Sequence, residues 1–460
     1  MLTKDGVFNV KRILEKTIEF FYSDLYVFSV ALLTLFFWTA GWQEVGFSLF
    51  VLVACFQFVF MRDMTPVIPM LLAIFFMPSN VNAFGNIWIY SIFIPAAVCL
   101  IIHFVRFPVA QFKVGKLLFP LLSVAVTMLL GGIFSDEVAN YFLGVIQFLG
   151  IGIGMLFAYL VLSQYICPPD KVNLKRYLLF TVLVLCVVPC IEMYCIKVLG
   201  IHTKNGRFDF NALGWGDKNF VGYMILVGVP ICYYFMVETK KIVPYFITLT
   251  FLLVSAYFTE CDGAIGILVF AVPIMTFITY KFLDCRKREL FRTLTFALVF
   301  IVILELLIVA LVADDFWAII QKRFLNDTGR TRIYQVAWKR FLEYPLLGNG
   351  AYYPCMPDAV TPINYHSLIF HTLATTGILG FLAYAYLLYA RFKVLTTKFN
   401  HYNIFAFFSV MLFEMYCFVD CGEFLMIIIF VNVIVLITER INEQPTPKRL
   451  NALKVFNNRF

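Results

Sequence analysis

An all-α, polytopic membrane protein of about fourteen transmembrane helices is the fold class this sequence predicts. Three observations predict it. Of its 460 residues, 62% are hydrophobic and only 14% are charged. A soluble domain is nearer 45–50% apolar and about 25% charged. The apolar residues also gather in runs approaching the roughly 20 needed to cross a bilayer. Finally, Lys and Arg crowd alternate turns between those runs, as the cytoplasmic turns of membrane proteins do. A water-soluble enzyme, a disordered chain and a fibrous protein are all poor fits. The net charge of +8 then reads as basic turns on one membrane face, with no nucleic acid implied.

The elements follow in order. Residues 1–19 form a charged, weakly amphipathic cytoplasmic tail with Lys4, Lys11, Arg12 and Lys16, and no cleavable signal peptide is evident. Apolar runs bounded by charges or turn residues predict helices at 23–41, 45–61, 65–78, 87–105, 117–134, 141–164 and 177–198. Seven more follow at 219–237, 242–260, 263–283, 293–313, 367–390, 403–419 and 423–438. A second cytoplasmic tail covers 439–460, and the whole chain reads as one integral membrane domain.

With the N-terminus inside, 26 of the 36 Lys and Arg fall in cytoplasmic segments. The third run is short and holds Pro66 and Pro69, features that also suit a re-entrant segment. A re-entrant third run would flip every later turn and destroy the charge asymmetry, so fourteen crossings are expected. The other ten cations lie outside, four between Lys197 and Lys218 and six between Lys322 and Arg340. Long translocated loops escape the charge rule. A cation cluster beside the outer leaflet also suits an anionic substrate, with phosphate foremost.

Residues 314–366 form the longest segment between spans and the expected extracytoplasmic loop. Phe316, Trp317, Ile320 and Phe324 repeat at helical spacing beside Lys322 and Arg323, as in a short interfacial helix. After a turn at 326–329, a second amphipathic helix is expected over about 330–344. Ile333, Val336, Ala337 and Phe341 lie on one face of it, and Arg332, Gln335 and Lys339 on another. Pro345 ends it, and Gly348 to Gly350 allow a tight turn or a close approach of backbone. A Tyr- and Pro-rich stretch then leads to His366 at the outer mouth of the twelfth span. His371 is rotated off that face and reads as packing.

Three acids fall inside predicted spans: Glu192, Glu305 and Glu414. Charges within a bilayer are costly and often functional. Each lies in the outer half of its span, where it either lines an outward cavity that binds sugar hydroxyls or is paired between helices. The 12 cysteines are scattered, show no metal-ligand spacing, and read as small apolar residues. Cys186 and Cys190, one turn apart, read as core packing.

The stretch "TGRTRIYQVAWKRFLEYPLLGNG" (328–350), followed by "YHSLIFHTLATTGILG" (365–380), resembles the signature region of the bacterial O-antigen polymerase and O-antigen ligase superfamily. The matching features are Gly329-Arg330, Trp338, Pro345-Leu346 with Gly348 and Gly350, then His366, Gly377 and Gly380. Ser367 stands where the family has Asn. A second region, "GRFDFNALGWGDKNFVGYMI" (206–225), supplies Arg207 and Asn219. A third, "TECDGAIGILV" (259–269), departs from the family by placing Asp262 where Arg is usual.

The resemblance implies a metal-independent, membrane-embedded glycosyltransferase without a cofactor. Its donor would be an oligosaccharide linked through diphosphate to a polyprenol, transferred to a growing glycan or to another acceptor on the outer face of the bacterial cytoplasmic membrane. The product would be O-antigen, capsule or exopolysaccharide, and a chain-length regulator or a flippase would be a natural partner. Catalytic roles fall to His366 as the base toward the acceptor hydroxyl, with Arg330 and Arg207 stabilising the departing diphosphate. Arg323, Arg332 and Lys218 are further diphosphate contacts. Glu192, Glu305, Glu414, Trp338 and Tyr352 are candidate sugar contacts. The main rival is a lipid-linked oligosaccharide flippase or transporter, against which the chain shows no internal repeat and concentrates its polar sequence in one outer loop. A peptidoglycan-type polymerase is a third reading, but it typically has fewer spans.

Overall fold

The computed structural model describes residues 15–74, 91–135, 144–145, 148–199, 218–259, 261–312, 330–350, 365–420, 422 and 428–443. Arg207, Arg323, Tyr352, the expected interfacial helix at 316–324 and most of both tails lie outside the described residues. Among those described there is no strand.

The N-terminal helices are α1 (Glu15–Phe21) and α2 (Asp24–Thr39), which meet at 69°. Ser23 sits at the bend and accepts the Tyr26 N–H, capping α2. They are followed by α3 (Gln43–Phe60), α4 (Val67–Ile74), α5 (Phe93–Arg106) and α6 (Leu118–Leu130). A π-helical turn at Phe148–Ile153 runs into α7 (Gly154–Tyr165). Then come α8 (Leu174–Leu199), α9 (Lys218–Thr239), α10 (Ile242–Phe258), α11 (Asp262–Phe282) and α12 (Cys285–Val312). The last four are α13 (Arg330–Glu343), α14 (Leu368–Leu395), α15 (His401–Cys417) and α16 (Ile428–Glu443).

Each of the fourteen predicted runs therefore holds helix, and α13 occupies the second loop helix almost residue for residue. Fewer of these helices meet the demands of a bilayer. Seven are long and apolar enough to cross, or eight if α1 and α2 make one bent span. The shortfall is one of length. The 13 residues of α6 rise about 20 Å and the eight of α4 about 12 Å, against a hydrocarbon core of about 30 Å.

Helix α9 is the centre of the bundle. Every residue from Val221 to Met236 is buried, as expected of a helix that is apolar all round. Helices α8, α10, α11 and α15 pack around it. Gly228 admits the Cys186 side chain of α8, which would stand 3.0 Å from any Cβ there. Cys186 and Cys190 are both buried in this core. At the other extreme α12 is only 6% buried and runs along the periphery.

Turns assigned by charge to the same face meet one another. At one end the Gly132 N–H donates to Leu347 O (3.3 Å), the Gly422 N–H donates to the Tyr223 hydroxyl (2.8 Å), and His366 faces Asp420. At the opposite end Asp63 accepts from the Tyr22 hydroxyl and the Cys167 N–H, both at 2.7 Å. Glu439 accepts there from Lys116 N–H (2.6 Å) and the Tyr159 hydroxyl (2.8 Å).

Candidate functional site

The site is built on a broken helix. In α14 the backbone leaves helical geometry at Gly377, with φ 67° and ψ −164°, a conformation essentially reserved for glycine. A break strands carbonyls below it and N–H groups above it, and inside a bilayer each unsatisfied group costs several kcal/mol. The segment 344–350 crosses at this point and satisfies both sets. Asn349 and Gly350 donate their N–H groups to Ala374 O (2.7 Å) and Thr375 O (3.0 Å). In return Pro345 O and Leu346 O accept from Ile378 (2.9 Å) and Leu379 (3.4 Å).

Close approach of two backbones demands small residues at the crossing. A Cβ on Gly348 (φ 68°) would lie 2.3 Å from Thr375 C, and one on Gly377 would lie 2.4 Å from Leu346 C. The end of α6 closes the third side, where a Cβ on Gly132 would stand 2.5 Å from Gly350 Cα. The Ser135 hydroxyl bonds to Asn349 Oδ1. The two glycine motifs of the sequence are thus two halves of one backbone crossing.

His366 stands at the mouth of this construction, two residues before α14. Its φ is +47°, uncommon for a residue with a side chain and typical of strained functional positions. Tyr334 of α13 donates its hydroxyl to His366 O (3.0 Å) and stacks on Phe370, with ring centroids 4.6 Å apart. The peptide carrying the histidine is therefore held from α13. Nδ1 of His366 lies 3.4 Å from Asp420 Oδ1, with the histidine side chain 29% exposed and the aspartate 7%. The imidazole is reachable and its carboxylate partner is sheltered.

A third wall comes from the starts of α9 and α11. Tyr416 donates to Asn219 Oδ1 (3.1 Å) and contacts the Cys261 thiol. Lys218 and Asp420 both act electrostatically on Cys261, whose burial holds its thiol above the usual range. Lys218, Asn219, Cys261, Tyr416, Asp420 and His366 thus lie at one end of the bundle.

Residues 246–385 match the family model for O-antigen ligase. That segment is similar to the O-antigen ligase and polymerase superfamily, in line with the resemblance read from the sequence. No curated protein and no solved structure matches it. The O-antigen ligase segment spans α10 to the middle of α14. It therefore includes the crossing and His366, while Lys218, Asn219 and Asp420 are supplied from outside it.

The predicted site residues divide as follows. Arg330 lies one helical turn before Tyr334, on the same face of α13, half-buried beside the histidine's anchor. Arg332 is exposed, and Trp338 is 47% exposed, on faces of α13 turned away from the core. Lys218 is half-buried beside Cys261.

The three acids do not share a cavity. Glu305 is exposed on the peripheral α12. Glu192 is buried in α8. Glu414, 3% exposed, receives the Arg391 guanidinium at 2.6 Å and the Tyr384 hydroxyl, so it is paired between helices rather than open to a cavity. Arg391 is itself a correction. Charge counting placed it in a cytoplasmic turn, but α14 continues to Leu395 and Arg391 is fully buried, donating also to Asn432 Oδ1 (3.0 Å). Asp262 lies in the first turn of α11, where a carboxylate suits the helix dipole.

Sequence reasoning missed Asp420, Tyr334 and Tyr416. Asp420 had a readable signal, an acid in the short outer turn between the last two spans. Tyr334 and Tyr416 carried none.

Proposed function

We propose that the protein is a membrane glycosyltransferase that polymerises or ligates polyprenyl-diphosphate-linked oligosaccharide units on the outer face of the cytoplasmic membrane, with both termini inside. The observation that carries this reading is His366, strained and accessible, with its Nδ1 on sheltered Asp420 inside a segment that matches O-antigen ligase.

The chemistry follows from that pair. With Nδ1–H directed at Asp420, the Nε2 lone pair faces outward and can accept a proton. An acceptor sugar hydroxyl attacks the anomeric carbon of the lipid-linked donor and passes its proton to Nε2. The bond from that carbon to the diphosphate oxygen breaks, and polyprenyl diphosphate departs with the electron pair. Asp420 stabilises the imidazolium that forms. Arg330, with Lys218 behind it, offers positive charge to the leaving diphosphate, and Arg207, Arg323 and Arg332 are proposed as further contacts to it. Trp338, Tyr352, Glu192 and Glu305 remain proposed sugar contacts. The fourteen-span topology belongs to the same reading, supported by the meeting of like-assigned turns at each end.

The test is replacement of His366 or Arg330 by Ala in a host that makes the polymer. The expected result is accumulation of single lipid-linked repeat units at normal protein levels. Normal chain length in both variants would sink the assignment, and accumulation on the cytoplasmic face alone would point to a flippase.

A further inference from the structure

The end of the bundle opposite His366 carries a second site. An apolar cavity of about 460 Å³ opens between the inner ends of α11, α14 and α15. Phe277, Phe282, Ile404 and Phe407 line it, and Lys281 and Lys398 stand at its rim. Neither lysine pairs with a carboxylate among the described residues. Two acids of the neighbouring turns are engaged elsewhere, Glu238 by His401 (2.7 Å) and Asp284 by Lys240 (3.7 Å). The Lys281 ammonium lies over the Phe277 ring at 5.2 Å, which keeps it against the cavity wall. Phe399, 93% exposed, projects beside Lys398.

A neighbouring cavity of about 430 Å³ makes a useful contrast. It lies on the other side of Phe277 and is equally apolar, but its one lining cation, Arg292, is neutralised by Glu289. Two uncompensated cations above an apolar slot, open to the bilayer, match one ligand chemistry: an anionic phosphate carried on a hydrocarbon chain.

We infer that this cavity binds an anionic glycerophospholipid of the inner leaflet, with an acyl chain between α11 and α15 and its phosphate at Lys281 and Lys398. This inference rests on the membrane-spanning and orientation parts of the reading above and is independent of the glycan chemistry.

The experiment uses the purified full-length protein in neutral detergent. Retention of phosphatidylglycerol and phosphatidylcholine is read by native mass spectrometry, without any glycan substrate. The wild type should retain phosphatidylglycerol in preference. Lys281→Gln with Lys398→Gln should weaken that retention on the order of tenfold, while Lys171→Gln, an exposed lysine elsewhere, leaves it unchanged. Ile404→Trp, which fills the slot with both lysines intact, should also abolish it. Equal retention of the two lipids by the wild type would overturn the inference. So would wild-type retention in either the double-lysine variant or Ile404→Trp. A protein that retains the lipid but transfers no glycan would overturn only the proposed function.

Discussion

At the scale of single residues, two pairs of a base with a carboxylate have different duties. His366 and Asp420 sit at a surface that a substrate can reach. Asp420→Asn should leave protein levels and KM nearly unchanged. It should lower kcat at least about tenfold, the worth of one charge-assisted hydrogen bond, measured as glycan transfer in isolated membranes. An equal loss in KM would assign Asp420 to substrate binding instead. Arg391 and Glu414 are fully enclosed, and removing one partner leaves a bare charge in the bundle. Arg391→Met or Glu414→Leu alone should cost about 3–5 kcal/mol, and the double variant much less. Thermal unfolding of the purified protein would decide this, and additive losses would exclude a coupled pair.

At the scale of elements, the crossing of 344–350 with α14 makes glycine identity decisive at a few positions. Gly377→Ala should cost about 1–3 kcal/mol from backbone conformation alone, plus the displacement of Leu346 that any Cβ forces. Gly266, inside α11, provides the counterpart: a Cβ there would meet nothing within 4 Å. Gly266→Ala should be neutral or stabilise by up to about 1 kcal/mol. Comparable unfolding temperatures for the two variants would mean that the crossing does not hold the site together.

At the scale of the whole molecule, the proposed orientation makes a prediction about which cysteines can be reached from outside. Cys167 and Cys285 are exposed at the end assigned inside, and Arg332 is exposed at the other. A membrane-impermeant thiol reagent should label Arg332→Cys in intact cells. It should reach Cys167 and Cys285 only in inverted vesicles. Labelling of the native cysteines in intact cells would reverse the orientation and remove the outer-face reading of His366.

How much of this was legible beforehand depended on which signals are local. Hydropathy is local, so all fourteen helical runs and the amphipathic α13 could be read from the chain. Turn chemistry is local too, so Pro345 and the glycines after it announced an ending and a close approach. They did not announce what approached. Gly348 and Gly377 are 29 positions apart, and their shared role exists only where the two backbones cross. The same limit hid Asp420 from His366, 54 residues earlier. It also let Arg391 pass for a turn cation, because burial depends on which helices pack and not on the residue's own neighbours.

The sequence by itself determined that this protein is helical, lies in a membrane, and carries a cluster of cations and a histidine in its longest loop. Those properties follow from the cost of exposing apolar surface and of placing charge in hydrocarbon, which each segment meets on its own. Only the tertiary structure decided which charges are spent inside the bundle, which remain at the mouth, and which backbone seals the broken helix. Those outcomes depend on desolvation and on hydrogen-bond partners, and both are set by segments distant in the chain.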